Sequence, residues 1–240
     1  MNVAVLALGI GFTAATFSIV DGVLWKPLDL PQSEDIVVVA EEGHQSSLAW
    51  LSAEDCDFLL ENLRSYDTLS AQVTFYSLVT PEAGASQSYV GAYVTASFLE
   101  LLRVEPILGR GFAREDEEPG ALPTAMLSYR AWQNHFGGDP VVVGRTFLIN
   151  RTQTTVIGVL PDGVHFPYRH DLWLAMPWHL AAEYGWTLNV VGRLADNVTL
   201  QQATTELEHL AAQLDEARPL DGSRRRWKPA SYVSSTIDTS

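Results

Sequence analysis

An α+β domain behind an N-terminal transmembrane helix is the fold class this sequence predicts, and three observations predict it. Residues 1–20 carry no charge, and the apolar run continues past Asp21 to Trp25. From Lys26 onward that run gives way to short segments between turns, some with β-rich composition and some with helical spacing. Of 240 residues 47% are hydrophobic and 18% charged, enough to bury a sizeable core, which excludes collagen-like, low-complexity and disulfide-framework chains.

The first element is the membrane span. Between residues 3 and 25 a helix rises about 34 Å, and a hydrocarbon core is about 30 Å thick. A cleaved signal peptide would need a basic start and small residues before a cut site, and neither is present. Trp25 and Lys26 suit the headgroup layer, so membrane lipid is an expected partner. Ala7, Gly11 and Ala15 place small side chains on one face, where another helix can approach closely. Lys26, the one flanking cation, taken alone favours a cytoplasmic C-terminal side.

The later elements follow in order. Residues 36–40 predict a short strand. Ser52, with Asp55 three residues on, caps a helix to Arg64 that turns Phe58, Leu59 and Leu63 inward. Strands are expected over 71–80 and 87–95, joined across 81–85, then a short helix over 96–102. A loop rich in Gly, Pro and carboxylates fills 106–123, and a strand covers 124–127. Ser128 then caps a helix whose Trp132 and Phe136 share a buried face and whose end is set by Gly137 and Gly138. Residues 146–150 and 153–160 predict a hairpin with its turn at 150–152, and Pro161 stops the second strand. Brief strands are expected over 171–175 and 188–194. Thr199 and Gln202 form a capping box on a helix to Ala217, with Leu200, Ala203, Leu207, Leu210, Ala211 and Leu214 on one packed stripe.

Catalytic patterns are missing from this sequence. No G-x-x-x-x-G-K-[ST], G-x-S-x-G or S-x-x-K occurs. Gly9 with Gly11 and Gly109 with Gly111 are packing or turn glycines, because neither pair has the third glycine of a dinucleotide site. His165 and His170 near Asp162 and Asp171 fit no metal spacing and read as a surface loop. Glu115, Asp116, Glu117 and Glu118 read as a solvated acidic loop, lacking the alternation and glycine of a calcium site. Cys56 reads as a small core residue. Asn150 and Asn197 match glycosylation acceptors but fit a hairpin turn and a helix cap. No catalytic residue, metal or cofactor is therefore expected. With 29 acidic against 15 basic side chains and a formal charge of −14, no nucleic acid partner is expected either; the one dense basic run, 224–228, is short.

Five stretches resemble the MacB-like periplasmic core domain of ABC transporter permeases, with the acidobacterial duplicated orphan permeases as the nearest type. They are Leu8 to Gly11 with 17–20 and 24–28; FLELLRVEPILGR over 98–110; LSYRAWQNHFGGDPVVVG over 127–144; TVIGVLP over 155–161; and Val191, Gly192, Arg193 and Leu194. The resemblance runs from about residue 6 to about residue 215, and the tail from Asp221 matches poorly. It implies a cytoplasmic N-terminus for the span and a porter-like α+β domain in the periplasm, built from two β-α-β units with an inserted second subdomain. On that analogy residues 1–25 are the transmembrane helix and 26–240 the core domain. The porter-like part takes about 26–104 and 185–240, and the insertion about 105–184.

The resemblance further implies a bacterial inner-membrane protein, single-pass as given, that is not an enzyme. The chain reads as a fragment of a permease whose domain couples the ATP-driven motion of a partner ATPase to export or other periplasmic work. Expected partners are other permease helices or a second permease copy, an ABC ATPase subunit, and a periplasmic adaptor or cargo. The alternative reading is a membrane-anchored periplasmic interaction module with no transport role.

Overall fold

The computed structural model describes residues 30–41, 48–80, 86–166, 168–220 and 224–232. The expected span at 1–25 lies outside them, and no helix among the described residues is long and apolar enough to cross a membrane.

Five strands and two helices form the first half of the architecture. β1 (Ile36–Glu41), β2 (Leu51–Ser52), α1 (Ala53–Asn62) and β3 (Tyr66–Thr80) are followed, much later in the chain, by β10 (Thr187–Leu194), α5 (Leu200–Ala217) and β11 (Trp227–Ser231). In space the strands run β11-β1-β10-β3. β10 is antiparallel to both β1 and β3, and β1 is antiparallel to β11. Each helix thus joins two parallel strands that have a third strand between them: two interlocked split β-α-β units, as the resemblance implied. Both helices lie on one face. Leu59 of α1 and Leu207 of α5 are fully buried there with Val37, Val39, Leu188 and Val190.

Sheet and core continue beyond this half. β4 (Gln87–Val94) pairs with β3 and, in parallel, with β9 (Leu172–Ala175). Then come β6 (Thr124–Leu127), β8 (Thr152–Val159) and β5 (Leu108–Gly109), while β7 (Thr146–Ile149) bridges β3 and β8. Behind the sheet, on the face away from α1 and α5, α2 (Phe98–Leu102) packs Phe98, Leu101 and Leu102 against Ile36, Val38, Val94, Val191 and Trp173. β1 is covered on both faces, which is why it reads as an unbroken apolar run. A third cluster gathers under α3 (Tyr129–Phe136), with Ala125, Leu127, Phe147, Ile149 and Val159.

The local signals hold. Ser52, Ser128 and Thr199 accept from the backbone amides of Asp55, Ala131 and Gln202. Gly137 and Gly138 have φ of 63° and 70°. The hairpin turn is Asn150-Arg151, both at positive φ, and Asn150 Oδ1 also accepts from Leu78 N at 2.9 Å.

Other expectations need correction. β3 begins at Tyr66 rather than 71, because its first residues pair with the end of β10. Leu200, the first residue of α5, is 50% exposed and does not join the packed stripe. Trp132 and Phe136 are half-buried, and Ala131 is the fully buried residue of α3. α4 (Trp178–Glu183) and β11 were not expected at all.

Candidate functional site

A heavily built polar arrangement lies where the described chain enters the domain. Gln32, at φ 49°, turns the backbone into a short 3-10 turn ahead of β1. Arg193, on the α2 face of β10 and 1% exposed, holds that turn. Its Nη1 donates to Gln32 O at 2.5 Å and Nη2 to Pro31 O at 3.1 Å, while Nε and Nη2 donate to Leu101 O at 3.2 and 3.0 Å. One guanidinium thus ties the incoming segment, the central strand β10 and the last turn of α2 together. Burial, and then the neighbouring Arg103, lower its pKa, with Asp35 at 3.9 Å opposing them. It stays charged, as arginine does in proteins, and the carbonyls replace its water shell. Next to it Gly192 faces the other side of the sheet, where a Cβ would stand 2.5 Å from the Tyr66 ring and 2.8 Å from Leu69. Leu30 and Tyr232 join the same cluster, with the Tyr232 ring 4.5 Å from Phe166, so the two ends of the described chain meet at one end of the domain.

Beside the clamp, at that same end, opens a cleft of about 590 Å³ between α1, the start of β3 and the segment after β4. Asp57, Glu61, Asp67, Glu100 and Glu117 line it with Arg64 and Arg114, and Trp178 forms part of the wall. Burial raises the pKa of Glu117, whose carboxylate accepts from Ala96 N at 2.5 Å. Two of the hydroxyls here are committed to the fold: Ser97 Oγ donates to Leu69 O, and Thr95 Oγ1 to Ser70 Oγ. Neither histidine nor cysteine lines the cleft.

At the opposite end the basic run is organised by one residue. Arg225 donates to Asp55 at 2.9 Å and to Asp215 at 2.8 Å, pinning the start of β11 to α1 and α5. Its guanidinium also lies 5.8 Å from the centre of the Trp227 ring. Sequence reading missed this strand because its first residues look like a solvated basic run.

The residues weighed for chemistry are dispersed. His170 is 2% exposed rather than part of a surface loop, because Val164 and Phe166 anchor its segment in the core. Its Nε2 meets Thr74 Oγ1 at 3.1 Å, and burial pushes its pKa down to about 4. Asp171 turns away to accept from Val90 N and to pair with Arg130 at 2.6 Å. Among the described residues no group of three or more His, Cys, Asp or Glu is placed to hold a metal.

The acidic run is not a freely solvated loop either. Asp116 pairs with Arg110 at 2.6 Å and accepts from Ala113 N, and the Arg110 hydrogen bond holds its carboxyl below the usual range. Cys56 is fully buried and burial raises its thiol pKa, as a core residue requires. Gly109 is a packing glycine: at φ 73°, an added Cβ would fall 2.0 Å from Ile157 O.

The fold and these motifs can be set against known proteins. The family model of the MacB-like periplasmic core domain matches residues 1–210. The chain belongs to this family, and is a periplasmic domain of a MacB-like ABC transporter permease. Among solved structures it is similar to the extracellular domain of the noncanonical ABC-type transporter YknZ from Gram-positive bacteria, at 13% identity and a TM-score of 0.61, covering 81% of this chain and 99% of that one. It is similar also to the periplasmic region of MacB from Actinobacillus actinomycetemcomitans, at 13% identity and a TM-score of 0.63, covering 87% and 94%. A third similar structure, a domain assigned to a permease protein from Porphyromonas gingivalis, has 17% identity and a TM-score of 0.66, covering 85% and 93%. At these identities the likeness is one of fold. No curated protein matches the chain.

Proposed function

We propose that this chain is a mechanical and binding part of an ABC transporter, held in a bacterial inner membrane through residues 1–25 with its main domain in the periplasm. Motion driven by a partner ATPase reaches the domain through its incoming segment and is passed to periplasmic cargo or an adaptor. The chain performs no bond chemistry of its own.

The observation that carries this reading is the Arg193 clamp. A displacement of residues 31–32 pulls on the central strand and on α2 together, because the same guanidinium holds all three. Packed interiors transmit such displacements because they have few voids to absorb them. In this reading the porter-like part takes about 26–104 and 185–240 and the insertion about 105–184, the two joined in one sheet through the β3–β7 and β4–β9 pairs.

The test uses the full chain with a reporter thiol at the exposed Glu34, Glu34→Cys, in intact cells and in membranes containing the partner ATPase. The chain should sediment with membranes, and an impermeant maleimide should label it from the periplasmic side. Trapping the ATPase with ATP and vanadate should change the labelling rate. A freely soluble product, or labelling confined to the cytoplasmic side, would defeat the placement. A rate indifferent to nucleotide would defeat the coupling.

A further inference from the structure

The cleft beside the clamp carries charge that the fold does not balance. Asp57, Glu61, Asp67, Glu100 and Glu117 line it against two arginines, and among the described residues none of the five carboxylates forms an ion pair. Arg64 turns its guanidinium to the Leu63 carbonyl at 3.3 Å. Glu117, the least exposed of the five, is steadied by Ala96 N and by the Trp178 indole, both of which donate to it. Tyr66 also lines the cleft; it is 8% exposed, and its hydroxyl has no partner among the described residues. A buried hydroxyl without a partner is costly, which favours an arriving group that satisfies it.

We propose that this cleft binds a linear polyamine. Binding there needs the folded domain and not its coupling to an ATPase. The sign of the ligand follows from the excess of carboxylates, since a cleft lined mainly by one sign of charge concentrates the opposite sign. Its shape follows from their spread. Among the described residues no three of His, Cys, Asp or Glu converge to hold a metal ion, so a point charge meets few of these carboxylates at once. Ammonium groups strung along a chain meet them one by one.

Asp57 and Glu61 lie one helical turn apart on α1, which spaces their Cβ atoms by about 5–6 Å. Ammonium groups separated by three or four methylenes are spaced on the same scale. The methylenes between them suit the apolar part of the lining, such as Leu60, and the Trp178 ring beside Glu117 adds a cation–π partner. A volume of about 590 Å³ is in the range of small-molecule sites. A monoamine would leave most of the carboxylates without a partner, and an anion would meet five of them against two guanidiniums.

Calorimetric titration of spermidine into the full chain in detergent tests this. Saturable binding is expected, weakened by added NaCl. Glu117→Gln keeps an acceptor for Ala96 N but removes the charge, and should weaken binding about tenfold. Should that variant fail to fold, Asp57→Asn with Glu61→Gln, both exposed on α1, should give a loss of the same order. Glu105→Gln, at an exposed position outside the cleft, should change nothing. Butylamine, with one ammonium, should bind at least about tenfold more weakly than spermidine. No binding, or equal losses from Glu105→Gln and the cleft variants, would overturn the site, the second by showing attraction to the −14 chain as a whole. Equal affinity for butylamine, or tighter binding of trilysine at the same net charge, would overturn the assignment to a polyamine.

Discussion

α5 and α3 are both opened by a hydroxyl cap, and both place apolar side chains four residues apart, yet they end in different surroundings. α5 buries Ala203, Leu207, Leu210, Ala211 and Leu214 against a sheet whose other face is also covered. α3 buries Ala131 and leaves Trp132 and Phe136 only partly buried, with the Trp132 indole nitrogen donating to Asp139 O at 2.9 Å. A capped amphipathic pattern therefore fixes that a helix forms and which side it turns inward. How deeply that side is buried depends on what lies beneath it and beside it.

The largest effect should come from the deeper layer. Leu207→Ala deletes a fully buried side chain between α5 and the sheet, and should cost about 2–5 kcal/mol in equilibrium urea denaturation. A loss below that range would mean that the layer collapses to fill the space and is no better packed than the one under α3.

Acidification should act at a third place in the core, because His170 lies buried in the segment leading into β9 with its ring 6.0 Å from that of Trp173. Burial lowers its pKa from 6.5 to about 4, with Asp171 pulling the other way. Between those values the unfolded chain binds the proton and the folded chain does not. The His170 contribution is therefore fully present above pH 6.5 and is lost as pH falls towards 4, by up to about 3 kcal/mol. His170→Gln should flatten this part of the stability profile measured against the unsubstituted chain. An unchanged slope would mean that the imidazole is hydrated in the folded protein.

Trp132→Ala should be the mildest of the three, at about 1–2 kcal/mol, since its side chain is only partly buried. A cost of 3 kcal/mol or more, the value for a fully buried aromatic, would show that α3 is covered as tightly as α5 and would erase the contrast.

Much of the fold was legible because its signals are local. Ser52, Ser128, Thr199, Gly137 and the Asn150 turn act within four residues of themselves, and strand and helix periodicities are likewise short-range. The candidate site was legible only in part. Gly192 and Arg193 could be marked as part of a family motif, but the carbonyls that Arg193 holds belong to Pro31, Gln32 and Leu101, up to 162 residues away.

Alone, then, the sequence determined the helix caps, the turns, the strand at 36–40 with apolar side chains on both faces, and the family to which the chain belongs. Tertiary structure decided which polar residues are buried and what they hold. It drew His170 under the sheet, turned two carboxylates of the acidic run into hydrogen-bond partners, and recruited a basic tail as the edge strand β11. Burial and pairing of charge depend on neighbours that the chain supplies from distant positions, and no local spacing encodes them.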